Sequence, residues 1–270
     1  MYRNPNNIVV FDLDETLGFF YELSIFCNVI IKYFKRYLSQ DEFIELLDIF
    51  PEFLRPNIVK ILDFVVKKRE NKQCSKIMIY TNNQGSTNWT QLICKYFDKK
   101  LNTKTFDQII AAFKVNGEQI ELCRTSHEKS VSDLIKCTKM PQNTRICFID
   151  DQYHSLMEND QVYYINLKPY VFSLNFKEMA IRYYENTTKI SNKEEFINHI
   201  ITHMNKSNYN VKNKSKGEEN IDKIISKKVL SHLKDFFKNT NNRKTQKNKK
   251  IKKTQKTQKT QKTQKIKRKN

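Results

Sequence analysis

"VVFDLDETLG", Val9 to Gly18, decides how this chain is read. Ile8, Val9, Val10 and Phe11 form an unbroken apolar run, and Asp12 and Asp14 stand directly behind it. An apolar run that does not alternate suits a strand covered on both faces, as in a parallel α/β sheet. Residues i and i+2 of a strand face the same way, so both carboxylates project from one side of its C-terminal end. Two like charges that close repel and raise at least one pKa, unless a cation lies between them. The pair therefore calls for a metal or for a proton-transfer role.

Three later segments repeat the pattern. "KIMIYTNNQG" (76–85) reaches Thr81-Asn82-Asn83, "RICFIDD" (145–151) reaches Asp150-Asp151, and "QVYYINL" (161–167) follows. Helical patterns separate them. In "RPNIVKILDFVVKKRE" (55–70) the apolar positions 58, 61, 62 and 65 share a helical face, with Pro56 placed to start the helix. "HEKSVSDLIKC" (127–137) is a second helix, ahead of the third strand. This alternation predicts an α/β fold, a Rossmann-like parallel sheet sandwiched by helices. Sites in such sheets lie beyond the strands' C-terminal ends, so Asp12, Asp14, Thr81, Asp150 and Asp151 are expected to converge.

Two insertions are expected within a domain spanning 1–204. Between about 19 and 53, positions 25, 26, 29, 30, 33, 34, 37 and 38 make a helical stripe, and Ser39 with Glu42 has capping-box spacing for a second helix. That pair reads equally as a lid or as added packing. Between about 105 and 124, Asn116-Gly117 lies between β-prone runs and signals a β-hairpin. Ser191 and Glu194, again at capping-box spacing, are expected to start the helix that closes the domain near 204. Residues 205–239 read as a linker and an amphipathic helix. Residues 240–270, with Thr-Gln-Lys four times over 254–265, read as a disordered Lys-rich tail.

The 270 residues carry 49 Lys and Arg against 29 Asp and Glu, a net charge of +20. Fourteen of those bases and no acid fall in 240–270, so residues 1–239 carry 35 bases against 29 acids. The basicity is mostly the tail's. Such a segment attracts polyanions by counterion release and has no aromatic ring for base stacking. Weak, sequence-indifferent, salt-sensitive contact with nucleic acid is the expectation, and a repeat with no selected role is the equal alternative. The six cysteines (27, 74, 94, 123, 137 and 147) show no CxxC and no His/Cys clustering. Neither a zinc site nor a disulfide framework is expected, and the chain reads as an intracellular, reduced protein of cytoplasm or nucleus. A secretory leader pattern and a bilayer-length apolar run are both lacking, which argues against secretion and against a membrane. Oligomeric state is left open.

"FDLDETL", a strand-end threonine, a helix-borne lysine and an acidic pair together resemble the haloacid dehalogenase superfamily of phosphatases. The string DLDETL resembles the branch holding the RNA polymerase II C-terminal-domain phosphatases and their small nuclear relatives. The likeness covers residues 8 to about 167, with all four motif positions in order. It implies Mg²⁺-dependent hydrolysis of a phosphomonoester through an aspartyl phosphate, with a phosphoserine or phosphothreonine protein as the first expected substrate. Nucleic-acid ends, small metabolites, or phosphate binding without turnover are the alternatives. By the same implication Asp12 would be the nucleophile, and Asp14 the acid and then the base. Mg²⁺ would be held by Asp12, the backbone carbonyl of Asp14, and Asp150 or Asp151. Thr81 and Asn82 would bind the phosphoryl group together with a lysine, Lys129 at the start of its helix or its rival Lys136. The chemistry is consistent, since Mg²⁺ takes hard oxygen ligands and offsets charge on a transferring phosphoryl group. The continuation "NNQGSTNW" and the long helical insertion before Pro56 depart from the branch's pattern and leave the substrate unassigned. His127 and His154 read as surface or capping histidines, and Trp89 as a core residue.

Overall fold

The computed structural model describes residues 6–85 and 87–238. Two compact units divide the chain, Met1–Leu230 and Ser231–Asn270. In the second unit residues 231–238 are helical, and the Lys-rich tail lies outside the described residues.

The first unit contains β1 (Asn7–Phe11), β2 (Lys76–Tyr80), β3 (Gln108–Ile110), the short β4 (Lys114–Val115) and β5 (Glu118–Gln119), β6 (Arg145–Asp150) and β7 (Val162–Asn166). Its helices include α1 (Tyr21–Phe34), α2 (Gln40–Ile49), α3 (Ile58–Glu70), α4 (Thr87–Leu101), α5 (Val131–Thr138), α6 (Phe176–Glu185) and α7 (Lys193–Asn205), and residues 216–230 are helical as well. Five strands make one parallel sheet in the order β3-β2-β1-β6-β7, while β4 and β5 pair as a separate antiparallel hairpin. This is the expected α/β architecture. The apolar runs explain it: alternate residues of a strand serve opposite faces. Ile8, Val10, Met78, Tyr80, Ile146 and Phe148 share one core cluster with Val131 and Leu134 of α5. The intervening Val9, Phe11, Ile77, Ile79, Cys147 and Ile149 are equally buried. Each fully buried side chain of this size contributes roughly 1.5–3 kcal/mol.

The helices between β1 and β2 pack into the body. α1 lies against α7, and α2 against α4 and α6. Phe26 meets the rings of Phe50 and Tyr183 edge-on, and Tyr33 meets Phe196. The insertion thus packs on the body, and its residues Phe20, Tyr21 and Tyr37 also face the space beside Asp14. Ser39 and Glu42 form the expected capping box. At α7 the cap shifts by one residue, because Asn192 rather than Ser191 accepts the N–H of residue 195. Pro56 does not start α3. Asn57 adopts a left-handed conformation (φ 62°) between it and Ile58, so Pro56 belongs to the preceding turn.

Two more expectations are corrected, the hairpin insertion and the free cysteines. The stretch read as a hairpin insertion, 105–124, also supplies the edge strand β3, too short at three residues to stand out as a pattern. The hairpin itself turns at Asn116 and Gly117, both with positive φ (51° and 86°), as the favoured two-residue turn requires. Residues 205–230 belong to the first unit, where Tyr209 reaches Ser173 (2.6 Å) and lies beside the rings of Phe19 and Tyr21. Cys123 and Cys137 are joined as a disulfide, against the reduced reading, while the four other cysteines are free and buried. Their spacing carries no signal, because the folding back of α5 brings the two sulfurs together. Among the described residues no helix is long and apolar enough to cross a membrane.

Candidate active site

Strand register assembles the site. β1 sits between β2 and β6, where the strand order reverses, and ligands bind beyond the strand ends at such a switch point. Phe11 is level with Ile149, and the Asp12 N–H donates to the Ile149 carbonyl (2.9 Å), so Asp12 and Asp150 crown adjacent strands. On the other side Thr81 continues β2, its N–H held by the Ile110 carbonyl (3.0 Å). Lys129 lies one residue before Ser130, the N-cap of α5.

These elements converge on one ammonium. Lys129 is 2% exposed, and its Nζ donates to Asp12 Oδ1 (2.5 Å) and Asp150 Oδ2 (2.7 Å). Burial alone would lower its pKa, but the two carboxylates raise it instead, so it stays charged. Lys136 is exposed on α5. The structure thus brings the first of the two candidate lysines into the cluster and leaves its rival outside.

Asp12, Asp150 and Asp151 offer carboxylate oxygens that all lie within 4.8 Å of one another. Asp150 Oδ1 also accepts the Gln152 N–H (2.8 Å). Asp151 Oδ1 accepts the Thr16 hydroxyl (2.9 Å), whose oxygen in turn accepts the Asp151 N–H (3.1 Å). Asp12 Oδ2 and Asp151 Oδ2 take no hydrogen bond from the described residues. Burial, reinforced by the charge of Asp12, raises Asp150 above the ordinary carboxylate range and Asp151 to about 6. Three acids facing one lysine leave surplus negative charge in a poorly solvated place. An all-oxygen donor set of that charge fits a hard divalent cation such as Mg²⁺.

Asp14 is held separately. Asn83 Nδ2 donates to its Oδ2 (2.7 Å), and burial raises its pKa to about 6 against the pull of that bond, with Asp12 adding to the rise. The two aspartates of the opening motif thus have different surroundings. One faces an ammonium, the other an amide.

The turn carrying them is tightly braced. Leu17 N–H donates to Leu13 O (2.9 Å) and Glu15 N–H to Gly18 O (2.7 Å), which puts Glu15 at φ 58°. That left-handed geometry costs a non-glycine residue roughly 1–2 kcal/mol. Arg55, 2% exposed, holds the turn from beneath: Nε donates to Thr16 O (2.7 Å), and Nη2 to Glu15 O (2.5 Å) and Lys168 O (3.0 Å). Gly18 is required by a close approach, since a Cβ there would lie 2.6 Å from the Phe53 carbonyl oxygen.

Thr81 is buried, and its Oγ1 accepts the Asn83 N–H (3.0 Å). Asn82 makes no hydrogen bond among the described residues, and its Oδ1 is shut away from solvent without a partner. Asn83, not Asn82, engages the motif aspartate. His154 is also not a surface residue: it is buried, with Nε2 3.6 Å from Asp150 Oδ2 and Nδ1 3.2 Å from Glu128 Oε1. Sequence reasoning gave Thr16, Arg55 and Asn83 no role and read His154 as a surface or capping residue. Thr16 lies inside the motif and was its one available signal.

From Asp14 and Asn83 a groove of about 1200 Å³ opens between the α1 region and α4, lined by Phe20, Tyr21, Tyr37 and Trp89 among others. Trp89 is a half-buried groove wall with its ring edge-on to Phe43, rather than a core residue. No protein-family model, no curated protein and no solved structure matches the chain.

Proposed function

We propose that this chain is a Mg²⁺-dependent phosphomonoester hydrolase that works through an aspartyl phosphate and acts on phosphoserine or phosphothreonine in a protein. The observation that carries the reading is the division of labour around one strand end. Asp12 is fixed by a buried lysine among further acids, and Asp14 is kept protonatable near pH 6 by burial. A nucleophile and a general acid need those opposite environments.

The Asp12 oxygen that does not accept from Lys129 forms the bond to phosphorus as the bond to the leaving alcohol breaks. Asp14, as a carboxylic acid, gives its proton to the departing oxygen. As a carboxylate it then takes a proton from the water that attacks phosphorus, which releases inorganic phosphate and restores Asp12. Lys129 offsets negative charge at the reacting group, and the Thr81 hydroxyl is the expected donor to the phosphoryl oxygens. A Mg²⁺ held by Asp12, Asp150 or Asp151 and the Asp14 backbone carbonyl would supply further charge neutralisation there. His154 and Glu128 back the Asp150 side.

The groove favours a polypeptide over a nucleic acid. Its charged lining residues are Asp14, Glu15 and Lys95, whereas a nucleic-acid channel needs a predominantly cationic wall. Its volume also exceeds the roughly 300–1,000 Å³ typical of small-molecule sites.

Hydrolysis of p-nitrophenyl phosphate with and without Mg²⁺, with acid trapping of the phosphoenzyme, tests the reading. Asp12→Asn should abolish both turnover and labelling, and Asp14→Asn should slow turnover by about 10²–10⁴. Absence of Mg²⁺-dependent turnover would refute the enzymatic reading. Labelling that survives Asp12→Asn would refute the nucleophile. A preference for phosphorylated oligonucleotides over phosphopeptides would overturn the substrate class.

A further inference from the structure

We infer that Arg124 is a positioning residue for this site: its buried guanidinium, with Tyr80, fixes Thr81 relative to Lys129. Arg124 is 1% exposed, and no carboxylate among the described residues lies within ion-pair distance of it. Asp133 and Glu121 favour its charge from beyond ion-pair distance, and a buried cation held that way is costly unless its hydrogen bonds do specific work. Here they join three separate pieces of chain. Nη1 donates to the carbonyls of Thr81 (3.0 Å) and Ala111 (2.9 Å), and Nη2 donates to the carbonyl of His127 (3.0 Å). Thr81 follows β2, Ala111 follows β3, and His127 belongs to the segment that delivers Lys129.

Tyr80 makes the second link. Its ring lies 4.8 Å from the Arg124 guanidinium carbon, and its hydroxyl accepts the Ser130 N–H (3.3 Å). The residue before Thr81 thus touches the residue after Lys129. Asp133 secures the same segment from α5, accepting the Thr125 N–H (2.9 Å) and hydroxyl (3.1 Å). Arg124 reaches neither Asp12 nor Asp150, so it acts only through the groups it holds. A lysine could not replace it, because an ammonium lacks the rigid planar fork that meets three carbonyls at once.

For turnover this inference rests on the phosphatase reading; for the geometry of the 125–130 segment it does not. Arg124→Ala should lower kcat for p-nitrophenyl phosphate by roughly 10- to 100-fold, the scale of a small misplacement of reacting groups, with KM nearly unchanged. Added guanidinium ion should restore much of that loss, and ammonium should not. Hydrogen exchange of the 125–130 amides should quicken in Arg124→Ala without any substrate. Arg124→Lys should share the kcat loss, and it decides the matter if Arg124→Ala does not fold. Wild-type kcat in these variants would overturn the inference, as would a kcat loss that tracks thermal stability alone and resists guanidinium rescue. If the wild-type protein shows no turnover, the phosphatase reading fails. Exchange then judges the anchor, and unchanged exchange at 125–130 overturns it.

Discussion

Replacing Arg55 with methionine removes a guanidinium while keeping much of the stem's volume, and its cost can be worked from the contacts. Three hydrogen bonds are lost, to the carbonyls of Thr16, Glu15 and Lys168. Hydrogen bonds to charged groups are each worth about 1.5–3 kcal/mol, so a simple sum exceeds about 4 kcal/mol. Part of that is returned, because the buried guanidinium is itself poorly solvated; burial lowers its pKa from 12.5 to about 10. The stack of Arg55 over the Tyr170 ring, 5.5 Å from the centroid, is lost as well. A net loss of about 3–5 kcal/mol matches what removing one member of a buried polar network costs. In a unit of this size that lowers Tm by roughly 6–20 °C. Thermal melts and urea midpoints on the full chain measure it, and turnover should fall further than stability, because the loosened turn carries Asp12 and Asp14. A stability loss below about 1 kcal/mol would refute the claim that Arg55 holds the turn.

Two further outcomes follow from other parts of the fold. Glu22, fully buried on α1, has its pKa raised from 4.5 to about 7 by burial, with the Leu174 N–H and the hydroxyls of Tyr209 and Ser173 pulling the other way. The folded state therefore keeps a proton that the unfolded chain releases between pH 4.5 and about 7, so stability is highest below that window and declines across it. The fall in urea midpoint from pH 5 to pH 8 should be smaller in Glu22→Gln than in the wild type, the raised Asp14 and Asp151 supplying what remains; an equal fall in both would remove the effect. Breaking the Cys123–Cys137 bridge, whose sequence separation is 14, should lower Tm by roughly 6–12 °C if loop closure contributes about 3 kcal/mol. Melts of the wild type with and without a dithiol, beside Cys123→Ser/Cys137→Ser, check this, and coincident curves would show that the bridge adds nothing.

Local pattern was enough for the sheet and for the residues at its strand ends. Ile8–Phe11, Ile77–Tyr80 and Ile146–Ile149 are apolar without alternation because both faces of each strand are covered, and such runs are visible in sequence. Asp12, Thr81 and Asp150 follow from them, since parallel strands present their C-terminal ends together. The Asn116-Gly117 hairpin and the Ser39 capping box were legible for the same reason: each is decided within a few residues. What only the tertiary structure decided are contacts between distant residues. Lys129 and Lys136 lie on one short stretch, and the packing of α5 against the sheet puts one at the acids and the other in solvent. Thr16 meets Asp151 across 135 positions, Asn83 meets Asp14 across 69, and Arg55 meets Lys168 across 113. Arg55 and Arg124 read in sequence as two more bases in a basic chain, and their burial against backbone carbonyls has no local signature. The disulfide and the edge strand β3 were hidden likewise, because cysteine spacing does not fix a pairing and three residues do not make a pattern. Side-chain type and periodicity specify an element, whereas the partner of a polar group is specified only when the chain returns to the same place.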